Sequence, residues 1–95
     1  MRPIRITGVT GTSQTVPLDV YSPSPALVTI SSAGTPNIQI TADDVFNPSI
    51  TVQWETPSPA FAANTPYQLP MGTRGERGTG MVGADILSVS QQGIA

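Results

Sequence analysis

The residues of this chain that could do chemistry are few, and their types narrow the options quickly. Asp43 and Asp44 are adjacent, with Asn47 close behind. Six to eight oxygens from such side chains, carbonyls and water make a Ca²⁺ site. The same residues are also favoured in turns, because their side chains hydrogen-bond to neighbouring backbone, and the turn reading is the stronger one here. A glycosidase pair such as Asp44 with Glu55 would need carboxyls about 5 Å or about 6.5–9.5 Å apart around a cleft, and nothing in the sequence supplies a cleft. The chain is rich in Ser but has no His, so Ser-His-Asp chemistry is excluded, and no Gly-x-Ser-x-Gly elbow is present. The glycines from Gly72 to Gly83 form no phosphate loop, because that motif requires a Lys and all four cations are Arg. We therefore expect no enzyme, no cofactor and no metal site.

Residues suited to binding a protein are easier to find. Arg74 and Arg77 flank Glu76, and a guanidinium offers a planar fork to a carboxylate on a neighbour. Phe61 and Tyr67 lie in or beside a Pro-rich stretch, where aromatic rings could dock against a partner or stack on a sugar. These four, Phe61, Tyr67, Arg74 and Arg77, are the candidate partner-binding residues. Trp54 falls in phase with Ile50 and Val52, so it reads as a core anchor rather than a platform.

Composition says what has to hold these residues in place. A chain of 95 residues buries only roughly 60–65% of its unfolded surface. Small domains compensate with disulfides, a metal or association. Cys and His are both absent, which removes disulfides and the ligands of a structural zinc and leaves homo-oligomerisation. Charged residues make up 11% of the chain, against roughly 25% in an average domain. Four Arg within a net charge of −2 give no basic patch for nucleic acid. No apolar run approaches the roughly 20 residues of a membrane span, and no signal peptide is visible.

The periodicity is two almost throughout. Residues 2–7 alternate around Ile4 and Ile6, and Val16, Leu18 and Val20 do the same, with Pro17 marking an edge strand or bulge because it cannot donate to a ladder. Ser22-Pro23-Ser24-Pro25 breaks that strand. Leu27–Ile30 is a short β-branched run, and Ile38, Ile40 and Ala42 form a half-buried strand. A hairpin connection at residues 43–48 then leads to a partner strand carrying Ile50, Val52 and Trp54. Pro57, Pro59 and Pro66 make residues 55–66 a long loop. Tyr67-Gln68-Leu69 resumes the alternation, the glycines make residues 71–84 a second loop, and Leu87 and Val89 form the last strand. No apolar stripe of helical period occurs. The expectation is one all-β domain over residues 1–95, a small β-sandwich or jelly-roll-like barrel of about seven short strands with little or no helix.

The order of these features resembles a group of small tailed-bacteriophage virion proteins. The matching residues are Arg5-Ile6-Thr7-Gly8, Val16-Pro17-Leu18-Asp19, Ile40-Thr41-Ala42-Asp43-Asp44-Val45, Thr51-Val52-Gln53-Trp54, Gly78-Thr79-Gly80 and Leu87-Ser88-Val89-Ser90-Gln91. The resemblance covers nearly the whole chain. It implies a β-sandwich located in the virion after synthesis in the host cytoplasm. It also implies a structural role as a capsid decoration (cement) protein or a minor head or tail component, with the major capsid or another virion protein as partner. The alternative from a different class is a tail- or fibre-associated carbohydrate- or receptor-binding module, with Trp54, Tyr67 or Phe61 stacking on a sugar.

Overall fold

In a computed structural model, residues 3–19 and 25–91 are described. Arg2, Val20 and the Ser22-Pro23-Ser24 part of the expected break lie outside the described residues. The elements are β1 (Ile4–Thr7), β2 (Val16–Pro17), β3 (Leu27–Ser31), β4 (Asn37–Thr41), β5 (Tyr67–Gln68), β6 (Gly75–Thr79) and β7 (Ile86–Ser90), with no helix among the described residues. They build a four-stranded sheet in the order β1-β7-β3-β5 and a three-stranded sheet in the order β2-β6-β4, antiparallel throughout. This is a small all-β sandwich, as the alternation predicts.

Alternation sets the inner faces. Ile6 pairs with Leu87, which also pairs with Ile30, and Val28 pairs with Val89. All five side chains are buried on the inner face of the four-stranded sheet. Val16 and Ile38 face them from the other sheet, and Ala26, Phe61, Leu69 and Met81 fill in from the connections. The two layers are in close contact, because a Cβ built on Gly78 of β6 would lie 3.5 Å from Leu87 Cδ2 of β7.

Successive strands lie in alternate sheets, so no strand pairs with its neighbour in sequence. Two elements differ from expectation for that reason. Residues 50–55 form no strand. The chain does fold back on β4, but only Glu55 bridges it, exchanging N–H···O bonds of 2.9 and 2.8 Å with Ile40. Just before Glu55, Trp54 lies against Arg77 of β6, and the Gln53 N–H donates to Asp43 Oδ2. The glycine-rich stretch 71–84, expected as a loop, contains β6, the central strand of that sheet. Its glycines are there because space is short. A Cβ on Gly75 would meet Val45 Cγ1 at 2.7 Å, and one on Gly78 would meet Met81 Sδ at 2.6 Å, closer than such atoms can approach. Gly80, at φ 63°, then takes the left-handed turn that ends β6.

Two expectations hold locally. Pro17 is on an edge strand, β2, where its missing N–H costs no ladder bond. Residues 55–66 contain no strand, and the loop is fastened by Asn64. That side chain accepts from the Ser32 N–H at 3.0 Å and donates to the Ser32 carbonyl at 2.7 Å, while the Asn64 N–H donates to Ile30 O at 2.8 Å.

Candidate interaction surfaces

The four candidate binding residues do not form one site. Phe61 is buried in the core, and its ring tilts against Tyr67 with centroids 5.7 Å apart. Tyr67 is half-buried on β5, and its hydroxyl donates to the Pro59 carbonyl. Both rings therefore serve the sandwich and its Pro-rich loop. Arg74 is exposed just before β6, with its N–H donating to Thr41 O at 2.9 Å and its carbonyl accepting from Leu18 N–H at the same distance. Arg77, on the outer face of β6, lies 4.2 Å from the centroid of the Trp54 ring and donates from Nε to Gln39 Oε1 at 2.8 Å.

Trp54 is thus not the core anchor its phase suggested. It is half-buried on the outside of the three-stranded sheet. The apolar phase of Ile50, Val52 and Trp54 does not lead into the core: Trp54 lies against Arg77 on the outer face of the three-stranded sheet, and neither Ile50 nor Val52 belongs to the buried cluster. Ile50 remains 43% exposed.

The acidic residues of the connecting loop organise that loop. Asp44 Oδ1 accepts from the Phe46 N–H at 3.0 Å, Asn47 Oδ1 from the Ser49 N–H at 2.9 Å, and Asp43 Oδ2 from the Gln53 N–H at 2.7 Å. Val45 lies against Gly75, which holds the loop on the sheet and leaves the next residue, Phe46, outside and 77% exposed.

Sequence reasoning missed Glu76 as a special position. Its neighbours across the sheet are Val16 and Ile40, it is fully buried, and neither carboxyl oxygen has a hydrogen-bond partner. Desolvation raises its pKa from an ordinary 4.5 to about 8, so the acid is neutral at pH 7. The only signal in the sequence was that position 76 shares a strand face with Gly78, and the glycines hid the strand.

The outer face of the four-stranded sheet carries a different surface. Arg5, Ser88 and Thr29 lie side by side across β1, β7 and β3, and Leu27 lies beside Ser90. Together with Ile4 they line a shallow groove of about 270 Å³. Leu27 is 45% exposed there, and Arg5 has no ion-pair or hydrogen-bond partner among the described residues. A second depression, between β4 and the loop after β5, is lined by Ile40, Ala42, Glu55, Pro70 and Met71. Compared with protein-family models, with curated proteins and with solved structures, the chain matches none.

Proposed function

We propose that this chain is a virion structural protein, a capsid decoration (cement) protein that binds the assembled phage head and stabilises it, acting by contact and not by catalysis. The virion assignment rests on the resemblance of its ordered motifs to small tailed-phage virion proteins. The observation that favours an assembly role is the distribution of apolar side chains. Leu27, Phe46, Ile50, Met71 and Val82 are all 43% exposed or more, while three of the aromatic rings are put to internal use. Trp54 lies under Arg77, and Phe61 and Tyr67 pack on each other.

A sugar-binding module needs rings displayed together beside polar groups. A small sandwich with a limited core and no disulfides gains stability by burying exposed apolar side chains against other protein. Binding of many copies to the assembled state alone stabilises that state by mass action. Particles lacking the protein should form with normal dimensions but release DNA at a lower temperature, and adding purified protein should restore the difference. Normal, stable heads accompanied by tailless or non-adsorbing particles would instead assign the chain to the tail or to receptor binding.

A further inference from the structure

We propose that this protein associates with itself head to tail, Phe46 of one copy seating in the groove beside Leu27 of the next, with Asp44 of the first paired to Arg5 of the second. The inference does not depend on the phage reading, since it concerns only surfaces of this chain.

The two surfaces are complementary in shape and charge. The groove offers the exposed Leu27 as its apolar floor, with Thr29, Ser88 and Ser90 around it, and at its rim the guanidinium of Arg5, which has no partner among the described residues. A cavity of about 150 Å³ already admits benzene, so a groove of about 270 Å³ has room for one aromatic ring. Phe46 is the most exposed large apolar side chain among the described residues, at 77%. The turn that presents it is built by Asp44, which uses only Oδ1 to accept the Phe46 N–H. The other carboxylate oxygen, Oδ2, is left for a cation two residues from the ring. Arg with a carboxylate is the pairing best suited to this, because the guanidinium fork can bind it bidentately.

The layers decide the symmetry. Phe46 projects from the loop held on the outer face of the three-stranded sheet, where Val45 lies over Gly75. The groove is on the outer face of the four-stranded sheet, on the opposite side of the sandwich. A two-fold pair would need both patches on one side, so the contact is heterologous and propagates into a ring or an open chain.

The test uses two variants at exposed positions, Phe46→Ala and Arg5→Glu, with Trp54 emission and far-UV circular dichroism confirming that each is folded. In sedimentation velocity from about 10 μM to 1 mM, a range suited to a weak contact, the parent chain should associate progressively. Each variant alone should associate at least roughly tenfold more weakly, as loss of a central anchor or a paired charge does. Mixed one to one, they should form a dimer and nothing larger, because Phe46→Ala keeps its groove and Arg5→Glu keeps its knob. A parent chain that is monomeric throughout, a single variant that associates like the parent, or a mixture that fails to pair overturns the proposal.

Discussion

Arg77 stacks on Trp54 at the outside of the three-stranded sheet, its guanidinium 4.2 Å from the ring centroid and its Nε bonded to Gln39 Oε1 at 2.8 Å. A partly exposed cation–π contact is worth about 0.5–1 kcal/mol, and the half-buried ring adds a fraction of full aromatic burial. Trp54→Ala should therefore remain soluble and lose about 1–2 kcal/mol in urea unfolding followed by circular dichroism. A loss of about 3–5 kcal/mol, the range for truncating a core aromatic, or failure to accumulate in soluble form, would restore Trp54 to the core. Arg77→Met, which keeps the aliphatic cover, should shift Trp54 fluorescence with little change in stability.

Burial of Glu76 makes stability depend on pH in an unusual direction. Its folded pKa, about 8, lies above the ordinary value of 4.5, so between these values the folded chain holds a proton that the unfolded chain has released. Stability contributed by this group is thus complete below about pH 4.5, falls as pH rises to about 8, and levels off above that. Taken over the whole interval, the cost is on the order of a few kcal/mol. Glu76→Met, similar in length and apolar, should abolish this slope and be more stable than the parent at pH 8, as replacement of buried ionisable groups by apolar ones often is. The check is the difference between parent and variant in urea midpoints at pH 5, 6.5 and 8.5. A difference that does not change with pH would show that the carboxyl finds a partner or water in solution.

The two close approaches to β6 should respond differently to a methyl group. Gly75→Ala drives its Cβ into Val45 Cγ1, 2.7 Å away, with Thr41 Cγ2 at 3.2 Å, and Val45 has only a stiff β-branched side chain to move. The expected loss is about 1–3 kcal/mol, typical of overpacking, together with loosening of the loop carrying Phe46. Gly78→Ala meets mainly Met81 Sδ, and a Met side chain can swing aside, so its cost should be smaller. Thermal melts of the two variants compare these directly, and equal costs, or a larger one at Gly78, would contradict the packing described here.

Asn64 combines a left-handed backbone, φ 62°, with the paired bonds to Ser32. Asn64→Gly keeps the backbone and loses the bonds, at about 1 kcal/mol. Asn64→Ala loses the bonds and also forces a Cβ into the left-handed region, which adds about 1–2 kcal/mol. Chemical unfolding should rank parent above Gly above Ala, and an Ala variant as stable as Gly would mean that the loop abandons this conformation without penalty.

Strand positions and inner faces were legible in the residues themselves. Ile4 and Ile6, Val28 and Ile30, Ile38 and Ile40, and Leu87 and Val89 alternate with polar neighbours, and a period of two leaves an extended backbone one face to bury. Prolines that cannot donate kept residues 56–66 out of any ladder, and the absence of Cys and His excluded covalent and zinc staples before any fold was known. Pairing was decided only by the tertiary structure. Because consecutive strands go to opposite sheets, every ladder joins residues distant in sequence, as Val16 and Ile40 with Glu76, and alternation carries no information about which distant strand supplies the partner. The same gap explains the misread elements. Gly75 and Gly78 look like loop glycines until Val45 and Met81 occupy the space where their side chains would be, and the apolar phase of Ile50, Val52 and Trp54 names a face without saying whether that face meets the core or the outside of a sheet. Glu76 is neutral and buried for a tertiary reason as well: its strand is enclosed on both edges and both faces, and no local pattern in Arg74-Gly75-Glu76-Arg77 encodes that enclosure.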